Sequence, residues 1–339
     1  MKPTKIAVNG FGRIGRCIVR AMVERNIGDI EVVAINDLTD ARTLAHLYNY
    51  DTVHGRAAQV ATPHESHLEV AGKSIAVVAE KDPGKLPWGA LGVDVVLECT
   101  GLFTEREKAA AHLAAGASKV IIGAPAKRHD VTVVLGVNAD AYDPAKHHVI
   151  SCGSCTTNCL APVAQVLLDS FGLERGLMMT THSYTNDQAV LDVPHRKGDL
   201  RRARAAAQNI IPASSGAAQA LSEVIPALAG KFDGQALRVP TMDVSVVDLT
   251  FESSRPLSKA AIHAAMKQAS AGPMKGILGY TEAPLVSSDY IGDPRSSIFD
   301  ATITQVMGDR FAKVLAWYDN EWGFANRMIE LAQLVAAKL

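Results

Sequence analysis

Apolar and polar positions along this chain first fall into short β-rich runs that alternate with stretches of helical spacing. Lys5–Asn9 predicts a strand, Cys17–Arg25 a helix, and Ile30–Asn36 a second strand. Val93–Cys99 predicts a buried strand ending at Thr100-Gly101. The capping-box pattern Thr104-Glu105-Arg106-Glu107 then predicts a helix running to about Ala115. Lys119–Ile122, Val131–Leu135 and His148–Ile150 predict further strands, while Tyr50 to Gly89 is mixed and predicts a small antiparallel excursion. Strand and helix alternating in this way predict a parallel sheet covered by helices.

From Ser151 the texture changes. Ser151–Cys159 follows a β-branched run and precedes Leu160–Leu168, which has the apolar density of a buried helix. Leu177–Tyr184 is strand-like, a polar loop runs from Asp192 to Gly198, and Arg201, Arg202 and Arg204 form a basic cluster. Ala236–Pro240, Val244–Phe251 and Ala312–Tyr318 alternate or are β-rich, and Lys259–Ser270 and Trp322–Leu339 predict helices. Fewer βαβ alternations predict a mixed or antiparallel sheet in this half. The expected fold class is α/β. A Rossmann dinucleotide-binding domain is expected over residues 1–154, with the terminal helix 322–339 packing back on it, followed by an α+β catalytic domain over residues 155–321.

At 339 residues the chain is long enough for two domains of ordinary size. A formal net charge of −1 provides no global field for nucleic acid or an anionic membrane. No apolar run approaches a membrane span, and the chain opens on a strand rather than on a targeting segment, so a soluble, cytoplasmic protein is expected. The five cysteines are an odd number, and three of them (Cys152, Cys155, Cys159) lie within eight residues. That argues against a disulfide framework and for a reducing compartment. The trio has some likeness to metal-ligand spacing, but no second Cys/His cluster lies nearby in sequence, so no metal is expected.

Gly10-Phe11-Gly12-Arg13-Ile14-Gly15 sits between the first strand and the first helix, and Asp37 stands 22 residues after Gly15 at the end of the second strand. The G-x-G-x-x-G spacing alone is weak; in this context it is a dinucleotide-binding signature. Gly10 permits the tight turn, Gly12 admits a pyrophosphate to the backbone, and Gly15 lets helix pack on strand, with the helix N-terminus receiving the phosphates. Asp37 accepts from an adenosine ribose and repels a 2′-phosphate, which favours NAD over NADP. Cys155 falls in the first turn of a helix with Ser154 as its natural N-cap, where the helix dipole lowers a thiol's pKa and marks a nucleophile. A thiolate and a dinucleotide site in one chain suggest oxidation of an aldehyde through a covalent thiohemiacetal, which needs a base. Of the eleven histidines, His182 has the best claim, at the end of a strand and followed by hydroxyl and amide residues.

Five motifs, in order along essentially the whole chain, resemble those of the phosphorylating glyceraldehyde-3-phosphate dehydrogenases. They are Gly10–Arg16, Ser154–Cys159, His182–Gln188, Asp199–Arg204 and Trp317–Glu321. The resemblance implies Cys155 as nucleophile and His182 as its base. It places Arg13 and Ile14 on the pyrophosphate, Asp37 on the ribose and Asn320 on the nicotinamide carboxamide of NAD. Lys81, Thr100, Gly101 and Gly123 complete the expected cofactor set. Two anion pockets are implied, one for the substrate's phosphate and one for inorganic phosphate, with Ser154, Thr156, Thr185, Arg202, Ser215, Gly216 and Arg238 at matching positions. A homotetramer is implied too, its loop from Tyr184 to Arg204 reaching a neighbour's cofactor site.

The chain departs from the family pattern at a few positions. Cys152-Gly153 replaces the usual Asn-Ala, Lys197-Gly198 lengthens a loop, Ser214-Ser215 replaces threonines, and Gly123 stands where a hydroxyl residue is common. The related erythrose-4-phosphate dehydrogenases, and a binding protein that keeps only the fold, are the competing readings. Tyr184-Thr185-Asn186 and Ser215-Gly216 favour the three-carbon substrate, glyceraldehyde 3-phosphate, and its conversion to 1,3-bisphosphoglycerate.

Overall fold

The computed structural model describes residues 2–339. Two units divide the chain. One holds the residues up to Val133, Ala139–Ser154 and Phe324–Leu339; the other holds Val134–Asn138 and Cys155–Gly323.

The first unit is built on a nine-stranded sheet. Thr4–Asn9 lies at its centre, parallel to Ile30–Asn36 on one side and Val95–Glu98 on the other. Beyond Val95–Glu98 come Lys119–Ile122, Val149–Ser151 and Val131–Thr132. Beyond Ile30–Asn36 come Lys73–Val78, His67–Val70 and Ala61–Pro63, the last three paired antiparallel. The chain therefore leaves the central strand in opposite directions, and the carboxyl ends of Thr4–Asn9 and Val95–Glu98 form the switch point at which ligands bind such sheets. Ile6, Ala7, Val8, Val95, Val96 and Leu97 are all inaccessible to solvent. Continuous apolar runs of this kind suit parallel strands covered on both faces.

Two expectations fail here. The Thr104 capping box does not form. Arg106–Ala109 and Ala111–Ala114 are two short helices, and the first has Glu105 at its N-cap with no side-chain cap. Backbone pairing is the reason: Lys127 N donates to Thr104 O and Arg106 N donates to Lys127 O, which holds this segment extended. The Val131–Leu135 strand stops at Thr132. Asn138 Oδ1 accepts from Val134 N at 2.8 Å and turns the chain.

A seven-stranded sheet carries the second unit, in the order Ile211–Ser214, Phe232–Val239, Leu173–Ser183, Ser245–Ser253, Phe311–Tyr318, Ser297–Met307, Leu278–Thr281. Four of its pairings are antiparallel. Phe232–Val239 on Leu173–Ser183 and Leu278–Thr281 on Ser297–Met307 are parallel. Alternate residues of Ser245–Ser253 are buried, the period-two pattern of a strand with one covered face. The helix Cys155–Phe171 supplies Leu160, Val163, Ala164 and Leu167 to the core that contains Leu249, Phe251, Val314 and Ala316. Most of its residues are buried, so its first turn is held by packing along its length. Among the described residues, no helix is long and apolar enough to cross a membrane.

Candidate active site

In the first unit the glycine signature is a turn packed against its neighbours. Gly10 has a φ of +92°, and a Cβ there would lie 2.8 Å from Thr100 N. At Gly15 a Cβ would lie 2.3 Å from Gly10 O and 3.0 Å from Val8 Cγ1, so only glycine lets this helix sit on its own turn. Gly12 is exposed and has nothing near its Cβ position, which leaves the backbone open to a ligand. It is the N-cap of Arg13–Glu24 and offers no side-chain cap, so the amides of the first turn remain for an anion.

Asp37 accepts from Phe11 N at 2.9 Å and Thr39 N at 3.1 Å, which fixes its carboxylate beside that turn as an acceptor pair. Acceptors and an uncapped helix start suit a ribose and a pyrophosphate. The Arg13 guanidinium is committed elsewhere, to both oxygens of Asp51. Burial pushes the Asp51 carboxyl up, but the Arg13 hydrogen bond and the His54 and Val53 amides outweigh it and hold it at about 2. The main chain of Arg13 and Ile14 lies in the uncapped first turn of that helix. Lys81 and Gly101 are exposed and Thr100 is half-buried. At Gly123 a Cβ would lie 3.2 Å from Met328 Cε and 3.3 Å from Glu98 O, so Met328 occupies the place of the missing hydroxyl side chain.

In the second unit Cys155 is the first residue of its helix, directly after Ser154, and Sγ lies 3.5 Å from His182 Nε2. His182 is brought there by the end of the strand Leu173–Ser183. Its Nδ1 lies 2.7 Å from Ser183 O and 2.8 Å from Arg238 Nη1, and Arg238 Nη1 also donates to Ser183 O at 2.9 Å. Burial, and then the charge of Arg238, push the imidazole down to about 3. Burial pushes the Cys155 thiol up, against the opposing pull of Arg238 and of the Thr156 hydroxyl and amide. The helix start is where the sequence puts it, and desolvation acts against its dipole.

Thr156 is buried, and its hydroxyl is 2.9 Å from Tyr318 Oη, which is itself 2.9 Å from Thr180 Oγ1. Tyr318 also packs edge-on against the His182 ring, with centroids 5.9 Å apart. Sequence reasoning missed Tyr318 as a site residue, although it stands inside a quoted motif. Asn320 Oδ1 accepts from Ser245 Oγ at 2.7 Å, which sets Nδ2 as the donor end of that amide.

Arg202 is folded inward. It pairs with Asp187 at 3.2 Å and Asp199 at 3.7 Å, and its Nη2 is 3.4 Å from Ser214 O. Arg202 and Arg238 each depress His182 through charge. The Nε atoms of both are buried without a hydrogen-bond partner among the described residues. Arg238, whose charge acts on the Cys155 thiol, keeps an unused Nε donor, which suits an oxyanion such as phosphate. Ser215 Oγ accepts from Ala217 N at 3.3 Å ahead of the helix Ala217–Val224, with exposed Gly216 as its N-cap. Thr185 is half-buried in the turn after His182. None of the five cysteines is in a disulfide, and Cys159 Sγ turns into the core, 3.4 Å from Ser297 Oγ.

Residues 4–106 match the family described as glyceraldehyde 3-phosphate dehydrogenase, NAD binding domain, and residues 154–320 match its C-terminal domain. The chain is 56% identical over 334 residues to the glyceraldehyde-3-phosphate dehydrogenase of Geobacillus stearothermophilus and 57% identical over 334 residues to that of Priestia megaterium, covering 98% of each chain. It is 52% identical over 335 residues to glyceraldehyde-3-phosphate dehydrogenase 2 of Streptomyces avermitilis, covering 99% of both.

Proposed function

The chain belongs to the glyceraldehyde-3-phosphate dehydrogenase family, and from that premise we propose how its own residues carry the reaction. It is an NAD-dependent oxidoreductase that converts glyceraldehyde 3-phosphate and inorganic phosphate to 1,3-bisphosphoglycerate. Full-length relatives of this activity disfavour the four-carbon aldehyde as substrate.

The observation that carries the residue roles is the 3.5 Å approach of His182 Nε2 to Cys155 Sγ. Sγ attacks the aldehyde carbon, the thiol proton passes by way of Nε2 to the new hydroxyl, and a thiohemiacetal forms. His182 then takes that hydroxyl proton as the carbon loses hydride. Bound NAD supplies the hydride acceptor. The resulting Cys155 thioester is attacked by inorganic phosphate, which releases the acyl phosphate and returns the thiol.

Nδ1 of His182 faces both Ser183 O and Arg238 Nη1. Donating to Ser183 O leaves the Nε2 lone pair for proton abstraction; accepting from Arg238 puts the proton on Nε2. An anion that draws Arg238 onto itself favours the first arrangement. The substrate's phosphate therefore readies its own base. Arg202, Arg238 and Thr185, with Ser215 and Gly216, serve the two phosphates. Ser154 and Thr156 flank the thiol.

A homotetramer in the cytoplasm is part of the proposal. Val190, Leu191 and Leu200 are 84%, 75% and 84% exposed in the loop from Tyr184 to Arg204, and that much bare apolar surface supports burial against another copy. Sedimentation of the purified protein tests it, with a monomer refuting it. The activity itself is tested by formation of the reduced cofactor from three- and four-carbon aldehyde phosphates with NAD or NADP, with and without phosphate. Dependence on phosphate, with the three-carbon aldehyde and NAD preferred, is expected. Phosphate-independent turnover of the four-carbon aldehyde would overturn it.

A further inference from the structure

Below the cofactor edge of the first unit runs a chain of buried polar side chains that the chemistry above does not use. Glu98 ends the strand Val95–Glu98 and is 1% exposed. Oε1 accepts from Thr100 N at 2.8 Å and from the Thr100 hydroxyl. Oε2 accepts from Asn9 Nδ2 and from His112 Nε2, the latter at 3.2 Å. The His112 tautomer is pinned from behind. Trp88 Nε1 can only donate, and it lies 2.9 Å from Nδ1, so the imidazole proton is on Nε2, facing Glu98. On the other side Asn9 Oδ1 accepts from Asn36 Nδ2 at 2.7 Å. Asn36 in turn grips the main chain of Glu80 at both ends, Nδ2 to Glu80 O and Glu80 N to Oδ1, each at 2.9 Å.

Three of the four strand-end or loop residues in this chain stand directly before a cofactor position, and the fourth stands two residues before one. Asn9 precedes Gly10, Asn36 precedes Asp37, Glu80 precedes Lys81, and Glu98 stands two residues before Thr100. Gly10 and the Thr100 segment are also in contact, since a Cβ on Gly10 would lie 2.8 Å from Thr100 N. Fixing Glu98 therefore fixes the floor against which the glycine turn packs. Buried polar groups hold position only while every partner is in place, and losing one donor leaves its acceptor unsatisfied.

We propose that His112 and Glu98, joined through Asn9 to Asn36, are positioning residues for NAD: together they hold the glycine turn, Asp37 and the Thr100 loop in binding geometry. This rests on the assignment of Gly10, Asp37, Lys81 and Thr100 to the cofactor. That assignment is checked separately by Asp37→Ala, which must weaken NAD if the site is placed correctly.

The test is a calorimetric titration of NAD into the purified protein and its His112→Leu and His112→Gln variants. Gln retains an amide donor where Nε2 stands; Leu removes it. Leu should weaken NAD about tenfold, the lower end for losing a hydrogen bond to a charged group. Gln should recover affinity to within about threefold of the unchanged protein. Iodoacetamide alkylation of Cys155 without NAD should be unaffected in both, which a general loosening of the fold would not allow. Trp88→Phe, which leaves Nδ1 without its donor, should weaken NAD in the same direction by a smaller factor and serves if His112→Leu fails to fold. A folded His112→Leu with unchanged NAD affinity, equal losses for Leu and Gln, or an unaffected Trp88→Phe would each overturn the proposal. Unchanged affinity in Asp37→Ala would instead overturn the site.

Discussion

The proposed role of His182 as a base at Nε2 requires Nδ1 to be held as a donor to Ser183 O, 2.7 Å away. Replacing His182 by Asn removes the base and keeps a polar side chain of smaller size. Single-turnover NADH formation in His182→Asn should fall by about 10²–10⁴, the usual worth of a positioned base. An unchanged rate would refute the role. Of this site, Cys155 and His182 were nominated from residue type and position, at a helix start and a strand end, while Arg202 and Arg238 came only from the resemblance. The desolvation of Cys155 and His182 was not legible. Burial decides it, and burial depends on residues such as Thr156 and Tyr318 that meet across 162 positions of chain. Met328 beside Gly123 was hidden for the same reason.

Elements with strong local periodicity were legible to within a few residues: Thr4–Asn9, Ile30–Asn36 and Lys259–Ala271 are instances. Those set by partners were not. Ser297–Met307 is a strand because Phe311–Tyr318 pairs with it, and the Thr104 capping box lost to backbone pairing with Lys127. One element-scale link lends itself to titration. Arg13 opens the first helix and is tied to Asp51 in the strand Tyr50–Asp51. Asp51 is held at about 2, below its value in the unfolded chain. Its contribution is therefore fully present above the unfolded value of about 4 and is lost as pH falls towards 2. Asp51→Asn should be less stable to urea by about 2 kcal/mol at neutral pH, with the gap to the unchanged protein narrowing from about pH 5 downwards. A gap that does not change with pH would contradict the ion pair as its source.

Across the whole molecule the chemistry divides between two units, with the dinucleotide signature on one and the thiol, imidazole and paired arginines on the other. Each unit is recognisable by itself: parallel strands around a glycine turn in the first, a mixed sheet behind a buried helix in the second. The claim that joins them is covalent. In the proposed mechanism, oxidation pauses at an acyl group on Cys155 until phosphate arrives. The most direct measurement mixes the protein with glyceraldehyde 3-phosphate and NAD in phosphate-free buffer and follows NADH, then quenches and maps the adduct by mass spectrometry. One NADH per chain should form in a burst, with the acyl group on the peptide that carries Cys155, and added phosphate should discharge it and start steady turnover. Steady turnover without phosphate, or an acyl group on any other residue, would contradict the account.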